Sequence, residues 1–229
     1  MPVLTIASSK GGPGKTTVAM LLAGALAAEG TRVALLDADP TCALSRWATD
    51  AYEEPPMDVV AEADETRLAH LIGGKADAAE LVLVDMAGFG NRAATVAMTS
   101  ADAVLIPALA GEADITEAEK TVRWWRAWPA PPGTTSLPAC WQTGSSTPAS
   151  PAMPRRSWPR PGCRVLRRAW AISSRMANCP SYSRRILTAG PAAVELAALV
   201  AEMRGLGWPP PAPARREGVP ACGPRDVTT

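Results

Sequence analysis

A nine-residue run, Ser9-Lys10-Gly11-Gly12-Pro13-Gly14-Lys15-Thr16-Thr17, stands between an apolar strand pattern at Val3 to Ala7 and a helical pattern at Thr16 to Glu29. Gly11, Gly12 and Gly14 permit backbone turns closed to other residues. Their amide N–H groups can therefore converge on one point at the helix N-terminus, where the helix dipole also favours an anion. The residues that follow suit a nucleotide: Lys15 would neutralise the β and γ oxygens, the Thr16 hydroxyl would bind Mg²⁺, and Thr17 would reach the α-phosphate. The strict pattern G-x-x-x-x-G-K-[ST] fails only at Ser9, and the variant K-G-G-x-G-K-T-T matches throughout. Pro13 has no N–H, which removes one phosphate donor, and its fixed φ stiffens the loop. The bland alternative is a glycine turn that merely caps a helix. Two lysines and two threonines in register argue against it.

Beyond this loop, strand and helix patterns alternate. Gly30 stops the first helix, and Val33 to Leu36 reads as a second buried strand, completing a βαβ unit. Further strands are expected at Met57 to Ala61, Leu81 to Val84 and Ala103 to Pro107, with helices at Glu65 to Ile72, Arg92 to Thr99 and Ala113 to Trp128. This order predicts an α/β fold, a three-layer P-loop NTPase with a mostly parallel sheet. The last helix opens on Asp114, Glu117 and Glu119, as its dipole prefers, and stops at Pro129.

Composition bears on what lies outside the alternation. Hydrophobic residues make up 47% and charged residues 20%, enough apolar matter for a core. The longest uncharged apolar run, Val18 to Ala28, is 11 residues, and Met1 to Ser9 lacks the basic start of a signal peptide, so a cytoplasmic protein without membrane contact is expected. Five scattered cysteines contain no C-x-x-C pair and suggest neither disulfides nor a metal cluster. Charge is uneven: residues 1 to 119 hold 18 acidic and 7 basic side chains, whereas 120 to 194 hold 12 basic and none acidic. Of 23 prolines, 17 follow Trp128. The division expected is a P-loop ATPase core at 1–128, an irregular Pro/Arg-rich segment at 129–178, a C-terminal helix region at 179–207 and a disordered tail at 208–229. Within the third, Val194, Leu196, Leu199, Val200 and Met203 suggest an amphipathic helix at Ala192 to Arg204.

The loop and two later segments together resemble the ParA/MinD family of deviant Walker A P-loop ATPases, over residues 1 to about 127. In that family Lys10 corresponds to the signature lysine that reaches the partner's nucleotide across an ATP-sandwich dimer. Leu35-Leu36-Asp37-Ala38-Asp39-Pro40 is similar to the family's switch segment, which implies that Asp39 orients the attacking water, with Asp37 in support. Leu81-Val82-Leu83-Val84-Asp85 is similar to Walker B, which implies that Asp85 holds Mg²⁺ through water. The resemblance thus gives Lys10, Lys15 and Asp39 as catalytic and residues 10–17 (Lys10, Gly11, Gly12, Pro13, Gly14, Lys15, Thr16, Thr17) as nucleotide-binding. Thr16, Asp39 and Asp85 form its metal set. It implies ATP and Mg²⁺ as cofactors, a homodimer on ATP binding, nonspecific DNA and a centromere-binding ParB-like partner. With Leu44-Ser45-Arg46-Trp47 after the switch, the pattern is closest to plasmid-partition and T-DNA-transfer members.

Other features are read more plainly. Gly88-Phe89-Gly90 is either a γ-phosphate-sensing switch or a flexible turn, lone His70 has no metal partner, and Trp124, Trp125 and Trp128 read as core packing rather than base stacking. The family would place two more strands and the adenine-contacting loop between Pro129 and Asn178. Neither strand is recognisable there. Mixed Trp, Cys, Arg, Ser and Pro without periodicity reads instead as a compensated frameshift, lost near Trp128 and regained near Cys179. The rivals are a metabolic P-loop synthase, disfavoured by Lys10 beside the Asp-Ala-Asp-Pro segment, a MinD-like membrane-cycling protein, disfavoured by the proline-rich tail, and a partly inactive product that only binds nucleotide.

Overall fold

The computed structural model describes residues 2–12, 14–52, 57–88, 92–108, 112–127, 137–142, 164–165 and 191–208. Among the described residues seven strands form one sheet: β1 (Val3–Ile6), β2 (Val33–Ala38), β3 (Asp58–Ala61), β4 (Leu81–Met86), β5 (Ala103–Ala108), β6 (Leu137–Gln142) and β7 (Arg164–Val165). Their order is β3-β2-β4-β1-β5-β6-β7, and every pair is parallel. The helices are α1 (Lys15–Ala28), α2 (Ala43–Asp50), α3 (Glu65–Ala78), α4 (Arg92–Thr99), α5 (Glu112–Arg126) and α6 (Pro191–Gly205).

The continuous apolar runs of the inner strands follow from burial on both faces. Along β4, Leu81 and Leu83 pack in one cluster with Leu22 and Leu26 of α1, while Val82 and Val84 pack in another with Leu68 and Ile72 of α3. The period of two divides β2 likewise: Leu35 joins the first cluster, and Ala34 and Leu36 the second. A third cluster gathers Val104 and Ile106 of β5 with Met98 of α4 and Val122 and Trp125 of α5. Helices α1, α2 and α6 thus cover one face and α3, α4 and α5 the other, the three layers expected. Trp125 belongs to this core, with its indole N–H donating to the Met98 carbonyl at 3.0 Å. Trp124 is half-buried, and Trp128 lies outside the described residues.

Several boundaries differ from the sequence reading, each for a physical reason. Helix α3 runs six residues past Ile72, through Gly73 and Gly74, although each glycine costs about 1 kcal/mol in a helix. Capping by Asp64, which accepts from the Thr66 and Arg67 N–H groups, and a 2.6 Å ion pair from Lys75 to Asp58 hold its two ends. Helix α2 was not anticipated, being only eight residues long and started by a non-local cap described below. Gly30, at φ 90°, ends α1 as expected. In α6, Leu196, Leu199, Val200 and Met203 pack against α1, but Val194 is 69% exposed and is no part of that stripe. It lies two residues before Leu196, about 200° around the helix from it.

The segment after Trp128 departs furthest from expectation. Two strands occupy it: β6 pairs with β5 from Ala103↔Leu137 to Ala108↔Gln142, and β7 pairs with β6 at Arg164 and Val165. The sequence concealed β6 because six residues containing Pro138 show no clean alternation, and Pro138 contributes no ladder N–H. The remainder of 129–178, the adenine-contacting loop and residues 209–229 of the tail lie outside the described residues. No described helix is long and apolar enough to cross a membrane.

Leu83→Ala, in the fully buried centre of the sheet, is expected to lower unfolding free energy by about 2–5 kcal/mol, whereas Val194→Ala should change it by less than about 0.5 kcal/mol. Urea denaturation of the two variants checks the contrast. Equal losses would mean that α6 packs through a different face.

Candidate nucleotide-binding site

The site lies at the C-terminal ends of β1, β2 and β4. Strand β1 ends at Ile6, and the chain turns through the glycine-rich loop into α1. Gly12 and Gly14 sit at φ 92° and 90°, the left-handed region where a side chain is strained, and Gly14 is the N-cap of α1. Gly11 is outside that region, and a Cβ there would meet nothing within 4 Å, so the loop's glycine requirement falls on positions 12 and 14. Pro13 lies outside the described residues. No side chain caps α1. Its first-turn N–H groups, which have no intrahelical acceptor, are therefore left for an anion.

Lys15 opens the helix but is only 8% exposed, and desolvation lowers its pKa, with the Asp85 and Asp39 charges pulling the other way. Asp85 is fully buried in β4, in register with Ile6 of β1 on one side and Asp37 of β2 on the other. Burial pushes its carboxyl up to about 7, assisted by Asp37 and Asp39 and opposed by Thr16 and Lys15. The Thr16 side chain is near enough to act on it, yet neither Asp85 oxygen has a partner of hydrogen-bond geometry. A buried carboxylate with both oxygens orphaned is costly. A divalent cation resolves that cost, so the residues present fit Mg²⁺. Mg²⁺ is commonly held by one or two carboxylates together with phosphate oxygens and water.

The two aspartates after β2 have different tasks. Asp37 is buried and spent on backbone: its Oδ1 accepts from the Asp39 N–H at 3.2 Å and its Oδ2 from the Ser45 N–H at 2.8 Å. It thereby anchors the Asp39–Cys42 turn and caps the first turn of α2. Asp39 is half-buried and accepts from the Thr41 N–H at 2.8 Å, which fixes its side chain beside the cluster. Cys42, at φ 51°, carries the left-handed turn between Asp39 and α2.

Lys10 and Ser9 point elsewhere. Lys10 Nζ lies 3.0 Å from Asp114 Oδ1 of α5, while the Ser9 hydroxyl donates to Glu117 Oε2 at 2.8 Å. In sequence Asp114 and Glu117 are marked only as the acidic first turns of a helix. Their contacts with the loop span more than 100 residues, and no local signal marks them. Phe89 and Gly90 of the suspected switch lie outside the described residues, and His70 is exposed on α3.

The sequence model of the VirC1 protein family matches residues 1–126. The chain belongs to the VirC1 family. It is 36% identical over 107 residues to the protein ParA of Rhizobium radiobacter, covering 47% of this chain and 48% of that one. Its fold is similar to that of the MinD cell division protein of Aquifex aeolicus, with a TM-score of 0.65, 16% identity and coverage of 96% and 99% of the two chains. It is also similar to pNOB8 ParA bound to nonspecific DNA, with a TM-score of 0.54, 17% identity and coverage of 65% and 70%. The match to the VirC1 model and the kinship with ParA agree with a ParA/MinD-type P-loop protein, and the solved structures share its fold. The chain spans about half the length of the curated relatives it matches.

The raised pKa of Asp85 has a sign that can be measured. A carboxyl whose folded value exceeds its unfolded one favours folding at low pH. That contribution is lost as pH rises from about 4, the unfolded value, to about 7. Without metal, Asp85→Asn is therefore expected to be more stable than wild type at pH 8, by up to about 4 kcal/mol, and the gap should close near pH 4. Chemical denaturation across that range checks it. A pH-independent difference would contradict the assignment.

Proposed function

We propose that the chain is a Mg²⁺-dependent ATPase of the DNA-partition type, in which two copies pair when nucleotide is bound. The observation that carries this reading is the buried, unpartnered Asp85 carboxylate beside Lys15 and Thr16, at the mouth of a loop shaped by Gly12 and Gly14. The α1 N-terminus and the loop amides bind the polyphosphate, with Lys15 neutralising the charge on its outer oxygens. Thr16 and Asp85 would hold Mg²⁺, with Asp39 beside them in the metal set, and the ion would supply charge neutralisation to the polyphosphate. Asp39 orients the water that attacks, and Asp37 keeps Asp39 in place through its backbone. Lys10, on the rim, serves the second copy's nucleotide. The reading extends to nonspecific DNA and to a centromere-binding ParB-like partner, supported by the kinship with ParA proteins and by a neighbour bound to nonspecific DNA.

Lys15→Ala should reduce retention of a non-hydrolysable ATP analogue by about 100-fold or more, and EDTA should weaken retention by the wild type. Asp39→Ala should keep analogue affinity while stopping turnover, because its carboxylate acts on water rather than on a ground-state phosphate. Filter binding and phosphate release measure both. Equal retention by Lys15→Ala and wild type would refute the loop assignment, and a fall in affinity as large as the fall in rate would make Asp39 a binding residue.

A second reading concerns residues 120–194, whose 12 basic side chains face no acidic one in sequence. If 129–178 is a frameshifted stretch, DNA binding is a polycation effect. Affinity then falls steeply with salt, as counterion release requires, and is unchanged by ATP or by Lys10→Ala. We expect this behaviour of the chain. An ATP-dependent gain of about tenfold, or 1.4 kcal/mol of coupling, measured by fluorescence anisotropy, would instead make the segment a nucleotide-gated DNA surface.

A further inference from the structure

Lys10 stands on the rim of the phosphate loop, yet its side chain is committed to α5. Its ammonium meets Asp114 at 3.0 Å, with the lysine side chain 48% exposed and that of Asp114 13% exposed. Beside the pair runs a groove of about 800 Å³, lined by Ser9, Lys10, Glu112, Ala113, Thr116 and Glu117. The backbone beneath is stitched down. Ser9 Oγ donates to the Glu117 carboxylate at 2.8 Å and to its carbonyl at 3.1 Å, the Ser9 N–H donates to Thr121 Oγ1 at 3.3 Å, and the Lys10 N–H donates to Ser8 Oγ at 3.3 Å. With its main chain fixed, the lysine has only its side-chain rotamers to vary, and the anion it meets decides their direction.

Neither Glu117 nor Asp85 takes that ammonium. Glu117 is held by Lys120 at 2.6 Å and by Ser9, and these two hydrogen bonds, ahead of the Lys10 charge, keep its carboxyl below the usual range. Asp85 responds to Lys15, whereas Lys10 is not among the charges that act on it. Lys10 therefore contributes its charge to the α5 side of the loop and not to the metal cluster of its own chain. An ion pair this exposed is weak, because water screens it and two flexible side chains must be ordered to form it. A polyphosphate, with several charges and oxygens, outcompetes a single carboxylate.

We propose that Asp114 is a positioning residue that holds the Lys10 ammonium in cis against the first turns of α5 and yields it to the phosphate oxygens bound by a second copy. The assignment rests on the nucleotide-driven pairing put forward above. In this arrangement the unpaired chain keeps its outward lysine neutralised. Pairing must break one weak contact, so Asp114 sets the nucleotide concentration at which two copies join.

Two measurements on the full chain test it. In nucleotide-free protein, acylation of Lys10 by a small activated ester, mapped by mass spectrometry with Lys75 as internal reference, should quicken severalfold in Asp114→Asn and return towards the wild-type rate in Asp114→Glu. In light scattering, the Mg·ATPγS concentration giving half-maximal dimer should fall roughly threefold to fivefold in Asp114→Asn, with no such fall in a Lys10→Ala background. Unchanged Lys10 acylation with normal ATPγS retention would overturn the Asp114 assignment alone. So would a raised half-maximal concentration in Asp114→Asn, or an equal shift with Lys10 absent. Failure of the wild type to retain ATPγS would sink the nucleotide-driven pairing, and the proposal with it.

Discussion

A carboxylate with no partner, buried at the end of a central strand, organises this molecule. Asp85 sits in register between Ile6 and Asp37, fully buried, with both oxygens unpaired. Such a group opposes folding at neutral pH unless a cation arrives, and β4 tolerates it only because the strand is packed on both faces by Leu81, Leu83, Val82 and Val84. Around it stand Lys15 drawn under cover, Thr16 beside the carboxylate, α1 left without a side-chain cap, and Gly12 and Gly14 turning the backbone. The doubly wound sheet brings these parts together. Residues far apart in sequence meet because β1, β2 and β4 are parallel neighbours that end on one edge.

The second constraint is the seam between the phosphate loop and α5. Ser9 replaces the first glycine of the strict motif, and its hydroxyl is used rather than merely tolerated, since it bonds both the carboxylate and the carbonyl of Glu117. Together with Lys10 to Asp114, this makes the N-terminal half of α5 part of the loop's wall. The C-terminal half of α5 is fixed by Trp125, which is buried among Met98, Val104 and Val122 and bonded to the Met98 carbonyl. The helix thus links the nucleotide loop to the sheet through a packed, hydrogen-bonded body.

What the sequence made legible was what local chemistry specifies. The runs of β2, β4 and β5 are apolar because both faces are covered, so four to six consecutive residues announce each strand. The phosphate loop is a contiguous motif, and Asp85 is marked by the apolar run that precedes it. Illegible features depend on distant partners or on departures from propensity. Helix α2 needs Asp37, eight residues before Ser45, to cap it, and Cys42 to adopt a left-handed turn. Helix α3 continues through Gly73 and Gly74 because the Asp64 cap, the packing of Leu68, Ile72 and Ala76, and the Lys75–Asp58 pair hold it together. Strand β6 exists through the edge that β5 offers and shows no alternation of its own. Asp114 and Glu117 gave no sign of their contacts, since an acidic first turn suits any helix.

Burial holds the Asp85 carboxyl out of its ordinary range, and under the function proposed above a bound divalent cation would return it there. Carbon-13 NMR titration of the aspartate side chains measures this directly. One carboxyl should titrate near pH 7 in the metal-free chain, vanish in Asp85→Asn, and move below pH 5 when Mg·ADP is present. A spectrum in which every aspartate titrates below pH 5 without metal, or in which the Asp85 signal ignores Mg·ADP, would contradict it.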